Sequence, residues 1–124
     1  MSEKCVCSCG KTKPKLIFSC SGAADTGEIT DLTARIIDSE KKAKMFCLAG
    51  IGGKVEPIIQ QTKAADKIIV LDGCSLDCAK KTLENGGFND FIHVRLTDLG
   101  FIKGKSPVTD ERINKVVEKV SERI

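Results

Sequence analysis

The chain has 124 residues, 41% of them apolar and 30% charged, and a formal net charge of +3. That is enough for one domain with a core of its own, so neither metal nor disulfides are needed merely to fold it. Trp and Tyr are absent and Phe occurs five times, which excludes most of the aromatic and basic interleaving that reads nucleic acids.

No apolar run approaches the ~18 residues of a membrane span, so neither a membrane nor a nucleic acid is expected as a partner. Nothing in the pattern points to a particular protein partner. The N-terminus has no hydrophobic segment of signal-peptide type, and the cytoplasm is the expected location. Thiols there stay reduced. The chain carries seven cysteines, and an odd number excludes a complete intramolecular disulfide framework. Clustered thiols in a reducing compartment point to metal ligands or redox groups.

Residues 1–14 read as a polar, lysine-rich tail closed by Pro14 and holding "CVCSCG"; residues 15–124 read as a single domain. "KLIFSC" (15–20) predicts a first strand that breaks into the small-residue loop "SGAADTG". The helical spacing of "EITDLTARIIDSEKKA" puts Ile29, Leu32, Ile36 and Ile37 on one face. "KMFCLAG" (44–50) predicts a second strand closed by "IGG". "VEPIIQQTKAA" predicts a short helix with Pro57 in its first turn. "KIIVLDG" is the third strand, and "SLDCAKKTLENGG" a helix capped by Ser75 and stopped at Gly86-Gly87. "DFIHVRL" (90–96) is the fourth strand, and "TDERINKVVEKVSERI" a closing amphipathic helix with Thr109 as its N-cap.

The order is β-α-β-α-β-α-β-α. Strands 1, 3 and 4 are continuous apolar runs, as in a parallel sheet covered on both faces. Right-handed crossovers then predict an α/β fold, a small doubly wound four-stranded sheet of Rossmann or flavodoxin type in strand order 2-1-3-4.

This map gives the cysteines a common address. Cys20 ends strand 1, Cys47 lies near the end of strand 2, Cys74 follows strand 3, and Cys78 falls in the first turn of the next helix. The carboxyl ends of parallel strands share one edge, where open α/β sheets bind ligands. A helix N-terminus also favours the thiolate of Cys78. Four thiolates could complete the tetrahedral shell of a zinc ion. The plainer alternatives are that Cys47 is a small core hydrophobe and that Cys74 and Cys78 form a redox pair. Their CxxxC spacing is that of neither thioredoxin-like proteins nor zinc fingers.

Other residues are candidates too. Cys5, Cys7 and Cys9 alternate, so an extended tail carries them on one side; they are incidental, or an accessory metal or thiol group. Asp72 and Asp98 end strands at the same rim and could support the metal ligands or ligate directly, with capping as the alternative for Asp72. His93, the only histidine, sits inside an apolar run and reads as a satisfied core residue. "AGIGG" and "SGAADTG" do not complete a nucleotide-binding motif. The loop after Cys20 has no arginine before Arg35, so it lacks the clamp of a phosphatase-type thiol nucleophile.

"LDGCSLDCAKKTLE" resembles the central motif of the DGC-domain proteins, small prokaryotic proteins regarded as zinc-binding. "FSCSGAADTGEITDLTAR", "FCLAGIGG" and "HVRLTDLGFIKGK" resemble its flanking motifs, so that the likeness runs through residues 15–105. The resemblance implies that Cys20, Cys47, Cys74 and Cys78 are the metal chelators, and it says nothing of the tail. Two readings stay open. The chain is a zinc or soft-metal binding protein, such as a carrier or sensor. Alternatively it is a thiol enzyme, a sulfurtransferase or thiol oxidoreductase, with a reactive cysteine at the same rim.

Overall fold

The computed structural model describes residues 13–124. Its elements in chain order are β1 (Lys15–Ser19), α1 (Asp25–Ser39), β2 (Lys44–Met45), α2 (Leu48–Gly52), α3 (Glu56–Lys63), β3 (Lys67–Asp72), α4 (Cys78–Asn85), β4 (Ile92–Arg95), a 3-10 turn (Leu96–Leu99) and α5 (Asp110–Ser121). The four strands form one sheet in the order β2-β1-β3-β4, and every pair is parallel. This is the doubly wound α/β arrangement the sequence predicts.

The central strands β1 and β3 bury both faces because each face meets helices. Ile17, Ile69, Leu71 and Val94 point into one core with Ile29 and Ile37 of α1 and Ile113, Val116 and Val120 of α5. Leu16, Phe18, Ile68 and Val70 point into the other with Ile51 of α2 and Ala79 and Leu83 of α4. Full burial of such a side chain is worth about 1.5–3 kcal/mol, so the continuous apolar runs of β1 and β3 hold both helix layers to the sheet at once.

Several local expectations hold. Pro57 lies in the first turn of α3. Gly86 caps the end of α4. Thr109 caps α5, its hydroxyl accepting the backbone N–H of Arg112 at 3.2 Å.

Three expectations need correction. The second strand spans only Lys44–Met45, and Leu48–Gly52 turns into α2 instead of extending it. The helix after β3 starts at Cys78, not after Ser75, with Asp77 as its N-cap. On α1 the buried face is Ile29, Thr30, Thr33, Ala34 and Ile37; Leu32 and Ile36 lie at its margin. Among the described residues, no helix is long and apolar enough to cross a membrane.

Candidate functional site

All four strands run the same way, so their carboxyl ends share an edge. Cys20 continues β1 there, its backbone N–H bonding to the Leu71 carbonyl of β3 at 3.0 Å. Its Sγ lies 3.3 Å from the Thr30 hydroxyl of α1. That hydroxyl already donates its one proton to the Gly27 carbonyl at 2.7 Å, so the thiol of Cys20 donates to Thr30 Oγ1. Cys47 is the N-cap of α2 and is exposed, which removes the core-hydrophobe reading. Cys74 is half-buried in the β3–α4 loop, and Cys78 is the exposed first residue of α4. All four are free thiols.

Cys20 and Cys47 line one groove of about 490 Å³, together with Ser19, Asp31, Arg35 and Thr82. Thr82 belongs to α4, and its hydroxyl donates to the carbonyl of Cys78 one turn earlier at 2.7 Å. The groove therefore joins the ends of β1 and β2 to the helix that begins with Cys78. The loop bearing Cys74 packs hard against α1: a Cβ on Gly73 would fall 2.8 Å from the Thr26 carbonyl carbon. Gly27 is equally confined, since a Cβ there would fall 2.6 Å from the Gly22 carbonyl oxygen. Glycine at these two points lets the loops that follow Cys20 and precede Cys74 close on the first turn of α1.

Among the described residues, the group of three metal-ligand atoms within 4.8 Å of one another is Asp72, Asp77 and His93, and no cysteine sulfur belongs to it. The sequence pattern had not singled out this trio. Asp72 is buried at the end of β3. Its carboxylate accepts the N–H of Ala79 at 2.8 Å and of Lys80 at 3.0 Å, two donors that the first turn of α4 leaves without helical partners. Asp72 therefore caps α4 from the neighbouring strand. His93 Nε2 lies 2.8 Å from the same carboxylate. An ionised carboxylate only accepts, so Nε2 carries the proton. His93 is satisfied, as expected, but its side chain is 18% exposed and lies at the sheet edge.

Asp77 sits in the left-handed region with φ 56°. Arg95 grips it through two hydrogen bonds, Nε at 2.8 Å and Nη2 at 2.6 Å. Arg95 holds the Asp77 carboxyl below the usual range, against the upward push of burial. Asp77 in turn raises the Arg95 guanidinium above its ordinary value. Asp98 is exposed in the 3-10 turn, 3.5 Å from Arg95 Nη1. The alternation of β4 puts His93 and Arg95 on one face, and that period was the available signal for Arg95.

Arg35, too distant in sequence to clamp an anion near Cys20, does reach the Cys20 groove. Its Nε bonds to Asp31 at 2.8 Å, and Asp31 accepts from Ser21 at 2.8 Å. Burial pushes the Asp31 carboxyl up, but those two bonds outweigh it and the net shift is down. The tail cysteines Cys5, Cys7 and Cys9 lie outside the described residues.

The family model described as DGC domain matches residues 16–120. The chain belongs to the DGC-domain family. Its match spans every element of the sheet and both sets of cysteine-bearing loops. This DGC domain is also similar to the anaerobic and virulence modulator AnvM of Pseudomonas aeruginosa, 31% identical over 88 residues that cover 71% of this chain and 67% of that protein. No solved structure matches it.

Proposed function

We propose that this DGC domain binds a soft metal ion, zinc foremost, through Cys20, Cys47, Cys74 and Cys78, and serves as a metal carrier or sensor in the cytoplasm. The observation that carries the reading is the shared groove: Cys20, just past β1, and Cys47, at the N-cap of α2, line it together with Thr82 of the helix that starts at Cys78. The donor chemistry fits. The four thiols are free, and Cys47 and Cys78 are exposed. A bound zinc held by four thiolates is coordinatively closed, which suits storage, delivery or sensing better than Lewis-acid chemistry. The name of AnvM, a modulator, supports the sensor side of this reading.

A thiol enzyme is the second reading. It is favoured by the free thiol of Cys20 sharing one groove with Arg35, which Asp31 holds in place. One experiment separates the two. Metal content is measured after purification without chelator, on the wild type and on variants with serine at the four cysteines or alanine at His93. About one zinc per chain, lost with the cysteines and kept in His93→Ala, is the expected result. A metal that survives removal of the four cysteines and leaves with His93 would move the site to Asp72 and Asp77. A metal-free protein with one thiol far more reactive than the rest would replace binding with catalysis.

A further inference from the structure

The loop from β4 to α5 presents a large apolar side chain to water and is built to keep it there. Ile102 is 60% exposed. Its backbone N–H is fixed by Ser106 Oγ at 2.8 Å. Two and four residues further, the N–H groups of Gly104 and Ser106 bond to the two carboxylate oxygens of Asp25, at 2.8 and 3.0 Å. Gly104 has a positive φ of 85°, so the turn needs glycine there. Arg112 closes the loop from α5 by donating to the Pro107 carbonyl at 3.2 Å. An isolated exposed apolar side chain is ordinary. Here it stands on a braced loop, flanked by Lys103 and Lys105, and borders a groove of about 360 Å³.

The lining of that groove is apolar and basic. Leu99, Phe101 and Ile102 supply the apolar part; Lys105, Arg112 and Lys115 supply the positive charge, against the single acid Glu111. Lys115 Nζ stands 5.7 Å over the Phe101 ring. We infer that this groove is a docking site for an acidic segment of a partner protein that carries an aliphatic side chain between its carboxylates. Charge complementarity selects the sign, and the apolar lining of Leu99, Phe101 and Ile102 selects an anchored peptide over a bare anion. A nucleic acid strand is disfavoured because none of the five phenylalanines is exposed for base stacking. Asp25 follows Cys20 by five positions and holds this loop, so a docked segment lies along the same edge of the sheet as the thiols.

The test uses the full chain and a fluorescein-labelled synthetic peptide with two central leucines flanked by glutamates and aspartates. Amide chemical-shift changes should map to residues 99–106 and 111–115. Binding should weaken about tenfold in Ile102→Ser and in Lys105→Glu, weaken with added salt, and stay unchanged in Lys119→Glu, an exposed lysine outside the groove. Ile102 and Lys105 are exposed, and an unaltered amide spectrum elsewhere shows that each variant folds. Four results would overturn the inference: shifts scattered over all lysine-bearing faces, equal weakening in Lys119→Glu, equal binding of a peptide with lysines in place of the acids, or equal competition by a single-stranded oligonucleotide. Self-association of the protein that Ile102→Ser abolishes would overturn it too, because the occupant would then be a second copy.

Discussion

Gly73 lies against Thr26 so closely that a side chain could not fit: a Cβ would stand 2.8 Å from the Thr26 carbonyl carbon and 2.9 Å from its hydroxyl oxygen. The three residues that name the family thus have separate tasks. Asp72 caps α4, Gly73 lets the loop close on α1, and Cys74 follows as a half-buried free thiol.

Gly73→Ala should therefore destabilise the domain by overpacking, by about 1–3 kcal/mol. Thermal unfolding should show it as a fall of about 4 °C per kcal/mol for a chain of this size. Any bound metal should weaken as well, because the Cys74 loop must lift from α1. An unchanged melting temperature would mean that the loop has room to spare.

Asp72 and His93 should behave as a coupled pair. Asp72→Ala strands two backbone donors of α4 and the imidazole, and should cost about 2–4 kcal/mol. His93→Ala removes one bond to a carboxylate that keeps two others, and should cost about 1 kcal/mol. Denaturant unfolding of both single variants and the double variant should give a non-additive cycle, with coupling on the order of 1 kcal/mol. Strict additivity would show that the histidine contributes nothing through Asp72.

Asp25 makes the β4–α5 loop sensitive to acid. The N–H groups of Gly104 and Ser106 hold its carboxyl below the usual range. A depressed native pKa stabilises the ionised form, so the loop is fully held above the ordinary value of about 4 and released as pH falls through the lower native value. Hydrogen exchange of the Gly104 and Ser106 amides, followed downward from neutral pH, should show protection lost across that window. In Asp25→Asn the window should vanish.

If metal is bound, its removal should leave the domain folded. The proposed ligands hang on a sheet with two cores of its own, unlike a zinc finger, whose fold is the metal site. After chelation the far-UV circular dichroism should keep its helical signal and unfolding should stay cooperative. Restoring free metal to about 100 times its Kd should add about 2.7 kcal/mol. Wholesale loss of helix on chelation would contradict this.

Where a segment's own residues decided its structure, the sequence was readable. The apolar runs of β1 and β3, Thr109 at the start of α5 and Gly86 at the end of α4 are local signals, and right-handed crossovers turned them into the observed strand order. What escaped depends on distant partners. "CLAGIG" is a short apolar run that suits either a strand or a helix, and packing of Ile51 against the α4 side of the sheet makes it α2. Ser75 looked like the cap of α4, but the capping carboxylate is Asp72, reaching over the loop from β3. The Asp77–Arg95 pair is a contact between separate elements that no spacing announces. The cysteine-bearing segments were readable because strand direction alone sends them to one edge; the rotations that would gather their sulfurs are not encoded in spacing.

Chain order also sets when each thiol is made relative to the sheet. β1 lies at the middle of the sheet, yet before β3 emerges its one strand partner among the described residues is the two-residue β2. Cys20 and Cys47 are already made at that stage, while Cys74 and Cys78 arrive immediately behind β3. The nascent chain therefore cannot complete the proposed four-cysteine set before β3 has been made. A chain halted ahead of β3 lacks both its central strand pairing and half of the proposed ligands.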